Sequence, residues 1–188
     1  AGRFRVDQLT RESAWARVYA GSHRLLAVPV TLKILNIELT DEQRKAFNDA
    51  MQLAQRCSHG NVAELIAGGW TESGGAYLVR PSCDAKPLSG VLTSQRFNRS
   101  QAMGIAAQIL GALCRVHDFG VVHGNLRPSN ILYWSNGHAD LTDVGIGRSL
   151  VREPWDDDPA SFQAQQYFAP ELSSSLRATP GADVYAAG

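Results

Sequence analysis

The residues best suited to chemistry lie in one stretch, His123-Gly-Asn-Leu-Arg-Pro-Ser-Asn130, with Asp143-Val-Gly145 starting thirteen positions beyond Asn130. Between them they offer an imidazole, two carboxamides, a guanidinium and a carboxylate. Asn130 and Asp143 each present a hard side-chain oxygen donor. Asp143 beside Gly145 also fits a simple turn. Asn125 is a carboxamide, and at neutral pH it lacks the basicity with which a carboxylate accepts the proton of an attacking hydroxyl.

The elements that must position these groups change character along the chain. Ala16–Ala20 and Val28–Leu35 read as strands, the second rich in β-branched residues, with Gly21-Ser22 between them. A helix is expected from Thr40, where Thr40-Asp-Glu-Gln43 forms a capping box and Phe47, Ala50, Met51 and Ala54 give an apolar face. Val62–Ala67 and Ala76–Val79 are strand candidates flanking a Gly-rich turn. From Ser100, which can cap a helix, Ala102, Ile105, Ala106, Ile109, Leu110 and Leu113 form a helical stripe. Val121-Val122, the polar loop and Ile131–Trp134 follow, turning through Ser135-Asn-Gly137. A polar segment, Gly147–Phe168, contains Asp156-Asp-Asp158, most simply a solvated loop. Asp183–Gly188 opens a further helix. The fold class is α+β: residues 1–80 a small β-rich lobe with one helix, 81–97 a hinge, and 98–188 a mainly helical lobe.

Composition narrows the function classes. The 188 residues carry 18 basic and 18 acidic side chains, a formal net charge of +0, so no global nucleic-acid footprint exists and no nucleic-acid partner is expected. Cys57, Cys83 and Cys114 are scattered without metal-ligand spacing and are expected to be free thiols in a reducing compartment. No run approaches the roughly 18 apolar residues of a membrane span, and the N-terminus lacks the apolar core of a signal peptide. A cytoplasmic location without membrane contact from this segment is expected, the segment standing alone or as the cytosolic part of a longer anchored protein.

The ordered motifs resemble the Hanks-type (eukaryotic-like) protein kinase domain, in the style of bacterial members. His123–Asn130 is similar to H-R-D-L-x-x-x-N and Asp143-Val-Gly145 to D-F-G. Val30-Thr-Leu-Lys33 resembles V-A-x-K, and Tyr77-Leu-Val79 the strand leading into the hinge. Ala169-Pro-Glu171 matches A-P-E, and Asp183-Val-Tyr185 the element after it. The resemblance implies a bilobal fold with the family's C helix in the first lobe, and a second lobe cut at the start of its central F helix, hence a fragment of a longer domain. It implies ATP and Mg²⁺ as cofactors, with Lys33 on the α- and β-phosphates, Asn130 and Asp143 as magnesium ligands, and Arg127 at the catalytic-loop lysine position. Val18, Thr31 and Leu132 take positions around the adenine. For Lys33 the plainer alternative is a solvated strand lysine, and for Val18 and Leu132 core packing. Asp183 is implied to anchor the loop backbone near His123.

Departures from the pattern decide the functional expectation. Asn125 stands at the catalytic-base position, and Gly124 replaces the arginine that would receive a phosphorylated activation loop. The glycines of the Gly-rich loop fall on Arg11, Ser13 and Ala16, whose side chains obstruct close approach to phosphates. Thr31 replaces a small Ala, Val144 the Phe of D-F-G, and Arg80 falls at the hinge-guarding position. The glutamate expected to pair with Lys33 falls on Ala50, with Asp49 one residue away. The activation segment offers few phosphoacceptors, chiefly Ser149, Ser161 and Tyr167. The expected function is therefore that of a regulatory or scaffolding pseudokinase that binds ATP/Mg²⁺ and a protein partner, such as a neighbouring kinase or receptor domain. The alternatives are a weak or atypical ATP-dependent Ser/Thr kinase or other phosphotransferase, and a nucleotide-free interaction module whose pocket is filled by Arg11, Arg80 and Thr31.

Overall fold

The computed structural model describes residues 2–13, 16–36, 38–147, 166–173 and 178–188. The expectations for Ser149, Ser161 and Asp156–Asp158 lie outside the described residues.

Five antiparallel strands form the first sheet: β1 (Phe4–Glu12), β2 (Ala16–His23), β3 (Pro29–Leu35), β4 (Ala67–Trp70) and β5 (Ala76–Pro81), ordered β1-β2-β3-β5-β4. Helix α1 (Asp41–Arg56) lies between β3 and β4 in sequence. Its capping box is the one expected, with Gln43 N donating to Thr40 Oγ1 at 3.3 Å and Thr40 N to Gln43 Oε1 at 2.9 Å. Phe47, Ala50 and Met51 are the buried face. Phe47 sits in a cluster with Leu35, Leu78 and Ile146, so one apolar stripe ties the sheet to the segment after Asp143. The expected α+β, kinase-like arrangement is observed.

β1 has no sequence signal of its own because only Phe4 is buried and its register against β2 shifts between Val6 and Gln8 and between Leu9 and Arg11. Two irregularities and an exposed face erase the period-two pattern on which strand reading relies. The strand expected at Val62–Ala67 is displaced to β4. Val62 instead forms an isolated parallel bridge with Leu141, where Ala63 N donates to Leu141 O at 2.8 Å and Leu141 N to Asn61 O at 2.8 Å. The backbone on either side of Val62, at Asn61 and Ala63, is thus bonded to the other lobe, which periodicity cannot foresee.

The second lobe contains α2 (Leu88–Ser94), α3 (Arg99–Asp118), α4 (Pro180–Ala187) and a small sheet, β6 (Lys86–Pro87), β7 (Ile131–Tyr133) and β8 (Ala139–Leu141). The segment expected as a hinge thus carries β6 and α2. The cap of α3 is Asn98 rather than Ser100, since Asn98 and Gln101 form the reciprocal box. Its buried row is Ile105, Ile109, Ala112, Leu113 and Val116, and Ala102, Ala106 and Leu110 are exposed. The expected stripe joined two adjacent helical rows, of which one packs on β8. Among the described residues no helix is long and apolar enough to cross a membrane.

Candidate functional site

The polar loop is held from below by one carboxylate. Asp183, on α4 and 1% exposed, accepts from His123 N and Gly124 N, each at 2.8 Å, and pairs with His117 Nε2 at 2.8 Å. Gly124 has a φ of 70°, in the left-handed region that favours glycine and that a side chain enters only at a cost in strain. The tautomer of His123 follows from its neighbours. Asn125 N donates to its Nδ1 at 3.2 Å, so the proton sits on Nε2, which donates to the Thr142 carbonyl at 2.9 Å. Burial pushes the His123 pKa down against the pull of Asp183 and Asp143, and the ring is neutral.

Asn130 completes this frame. It is 2% exposed, its Nδ2 donates to the Asn125 carbonyl at 2.8 Å, and its own carbonyl accepts from Thr142 N at 2.9 Å and Thr142 Oγ1 at 3.1 Å. Both backbone groups of Asn125 are thereby used, while its carboxamide makes no hydrogen bond among the described residues. A Cβ on Gly147 would stand 2.5 Å from Asn125 Cβ, so the loop and the start of the next segment are in contact.

Above the loop, a cleft of about 700 Å³, counting its open mouth, separates the five-stranded sheet from β7 and the Asp143 turn. Val18, Thr31 and Leu132 form part of its wall. Lys33 and Asp143 also line it, and Lys33 Nζ is ion-paired and hydrogen-bonded to Asp143 Oδ2. Burial raises the Asp143 pKa, but the Lys33 ammonium more than offsets this and holds the carboxyl below its ordinary value, helped by the charge on Arg80. Asp143 adopts a φ of 62°, a left-handed conformation that Asp tolerates better than most side chains. Asn125, Arg127 and Asn130 do not line the cleft. Arg127 lies beside it, with its Nε buried and without a hydrogen-bond partner.

The Lys33 partner is thus the Asp143 turn rather than α1. Asp49 is exposed, and Ala50 packs against the turn, where a Cβ on Gly145 would come within 3.2 Å of Ala50 Cβ. Val144 is 4% exposed in the core of the second lobe. Arg11 and Arg80, weighed from sequence only as obstructions, both line the cleft. Arg11 stands opposite Val18 across β1 and β2, and burial lowers its pKa. Sequence reading missed His117 altogether; its only signal was a place in the last turn of α3, one helix away from Asp183.

The protein kinase domain model matches residues 12–188, and the chain belongs to that family. It is 27% identical over 195 residues to the serine/threonine-protein kinase PknA of Mycobacterium tuberculosis, covering 100% of this chain and 45% of that protein. It is 26% identical over 201 residues to the serine/threonine-protein kinase pkn3 of Myxococcus xanthus, covering 100% of this chain and 36% of that protein. The chain therefore spans less than half the length of these relatives. The Hanks-type resemblance is confirmed, and the family generally binds ATP with magnesium.

The cleft suits these two groups unequally. Anionic phosphates meet Lys33, Arg11 and Arg80. A divalent cation meets an Asp143 oxygen already paired with Lys33, a nearly inaccessible Asn130 outside the cleft wall, and a surplus of positive charge. The charge around the donor set does not fit a resident Mg²⁺.

Proposed function

We propose that this kinase domain binds a nucleoside triphosphate in its inter-lobe cleft and acts by binding rather than by phosphoryl transfer, as a regulatory partner of another protein. A neighbouring kinase or receptor domain, met in the cytoplasm, is the partner class this reading favours. The observation that carries it is Asn125: the loop around it is fully formed, yet the group at the base position is a carboxamide whose backbone alone is engaged. Positioned acid–base groups contribute on the order of 10²–10⁴ in rate. Lys33, Val18, Thr31 and Leu132 would hold the nucleotide, with Asp143 orienting Lys33.

The test compares transfer of radiolabelled phosphate by the full chain and by Asn125→Asp, with autophosphorylation and a Ser/Thr-rich protein as acceptors. The expected result is nucleotide binding without transfer by the native chain. A measurable native rate, equal to that of Asn125→Asp, would overturn the proposal. The second reading, a slow Ser/Thr kinase, draws on the Lys33–Asp143 pair and on the kinases it resembles. It predicts a measurable native rate that Asn125→Asp raises by roughly 10²-fold or more.

A further inference from the structure

We propose that the cleft takes the triphosphate group without a divalent metal, with Arg11, Arg80 and Arg127 supplying the positive charge. This rests on the nucleotide reading above and specifies the form of the ligand. The carrying observation is an imbalance. Among the described residues, Lys33, Arg11 and Arg80 line one cleft with two carboxylates, Glu64 and Asp143, and Arg127 adds a fourth cation beside Asp143 and Arg11. Of the two carboxylates, Asp143 is the one that acts on Arg11 and Arg127. Lys33 already pairs with Asp143, and among the described residues none of the three arginines is ion-paired with a carboxylate.

Their donors are equally unspent. Each guanidinium presents about five N–H groups in a fixed fork. Among the described residues, the bonds they make reduce to one weak contact, Arg80 Nη1 to Cys83 Sγ at 3.3 Å. Arg127 Nε is buried with no hydrogen-bond partner among the described residues, a state that costs free energy unless a ligand completes it. Burial and mutual repulsion depress the Arg11 and Arg127 pKa values, with Arg80 acting on Arg11 and Arg11 on Arg127. An anion relieves that repulsion and satisfies the forks in the same step. A second cation would restore it. Arg11 sits where a Gly-rich loop would otherwise bring backbone N–H groups to the phosphates, and its guanidinium supplies donors of the same polarity.

The test titrates the full chain by calorimetry with ATP in EDTA, ATP in excess Mg²⁺, and inorganic tripolyphosphate in EDTA. Metal-free ATP is expected to bind at least tenfold more tightly than the magnesium complex. Arg11→Gln and Arg127→Gln should each weaken it about tenfold, and Arg5→Gln, on the exposed face of β1 and paired with Asp7, should leave it unchanged. Unliganded melting curves identify any variant that fails to fold, and Arg11→Gln, on an edge strand, is the safer of the two. Asp143→Asn gives a test of sign, because Asn tolerates the left-handed φ while removing the negative charge that acts on Arg11 and Arg127. Metal-free binding should tighten several-fold, whereas a magnesium-ligating Asp143 requires the variant to bind ATP more weakly.

Binding of ATP only with Mg²⁺ overturns the inference and leaves the nucleotide reading standing. Tripolyphosphate bound as tightly as ATP supports the arginine pocket but removes the nucleotide from the reading. No binding by any of the three overturns both.

Discussion

Asp183→Asn isolates the carboxylate that holds the catalytic-loop frame together. Its Oδ2 accepts from His123 N and from His117 Nε2, and its Oδ1 from Gly124 N, at 2.8 Å each, in a site only 1% exposed. A carboxamide has one acceptor oxygen. If that oxygen faces His123 and His117, the Asn NH₂ is driven against Gly124 N–H, donor against donor. An orphaned buried donor costs about 1–3 kcal/mol, and the two surviving bonds drop from charge-assisted to neutral, about 1 kcal/mol each. The sum is a loss of about 3–5 kcal/mol from a total that for such domains is about 5–15 kcal/mol. With a urea slope of about 1–3 kcal/mol per M, the unfolding midpoint should fall by about 2 M. Hydrogen exchange at the His123 and Gly124 amides should accelerate even in the folded variant, since their acceptor is the group altered. A stability loss under about 1 kcal/mol with those amides still protected would refute the claim that this carboxylate organises the loop.

The remaining predictions are separate readouts of the same architecture. Because burial lowers the His123 pKa, the native state binds fewer protons than the unfolded state below the ordinary histidine pKa of about 6.5. This contribution is fully present above about pH 6.5 and is lost as pH falls towards the folded pKa, by about 1.4 kcal/mol per pH unit; unfolding titrations of native chain and His123→Asn should diverge there. Gly147→Ala should cost about 1–3 kcal/mol, since its Cβ would stand 2.5 Å from both Asn125 Cβ and the Gly124 backbone; an unchanged melting temperature contradicts that contact. Thr40→Ala removes the α1 cap and should cost about 1 kcal/mol, visible as a lower urea midpoint.

What could be read from the sequence had a local cause. The α1 box needs only Thr40 and Gln43, and the apolar spacing of Phe47, Ala50 and Met51 fixes which face is buried. The lysine, the loop and the D-V-G turn were legible because each is a contiguous motif, whereas the pairing of Lys33 with Asp143, 110 positions away, was not, since the expected partner lay on α1. What was not legible depends on partners distant in sequence. Val62–Ala67 looks like a strand of the first lobe, but bonds between Leu141 and the backbone of Asn61 and Ala63 dock its start on the second. β1 is hidden by two register shifts. Arg11 and Arg80 carry charge into the cleft only because β1 and β5 place them on its walls, so a sequence reading sees them as obstructions and misses their joint charge.

Position 125 also explains how the fold stays recognisable while the chemistry is in question. Asp and Asn have nearly the same shape, and the loop uses residue 125 only through its N–H, given to His123 Nδ1, and its carbonyl, taken by Asn130 Nδ2. Exchanging one side chain for the other therefore leaves every bond of the frame in place. Gly124 and Asp183 have no such freedom: a side chain at 124 must enter the left-handed region, and a neutral group at 183 orphans a donor. The residues that hold the loop and the residue that would do its proton chemistry are physically separable, so an intact loop is evidence for the family and carries no weight on whether phosphate is transferred. The separation has a direct consequence. Asn125→Asp should leave the urea midpoint within experimental error of the native chain, and a shift above about 1 kcal/mol would mean that the carboxamide is engaged after all.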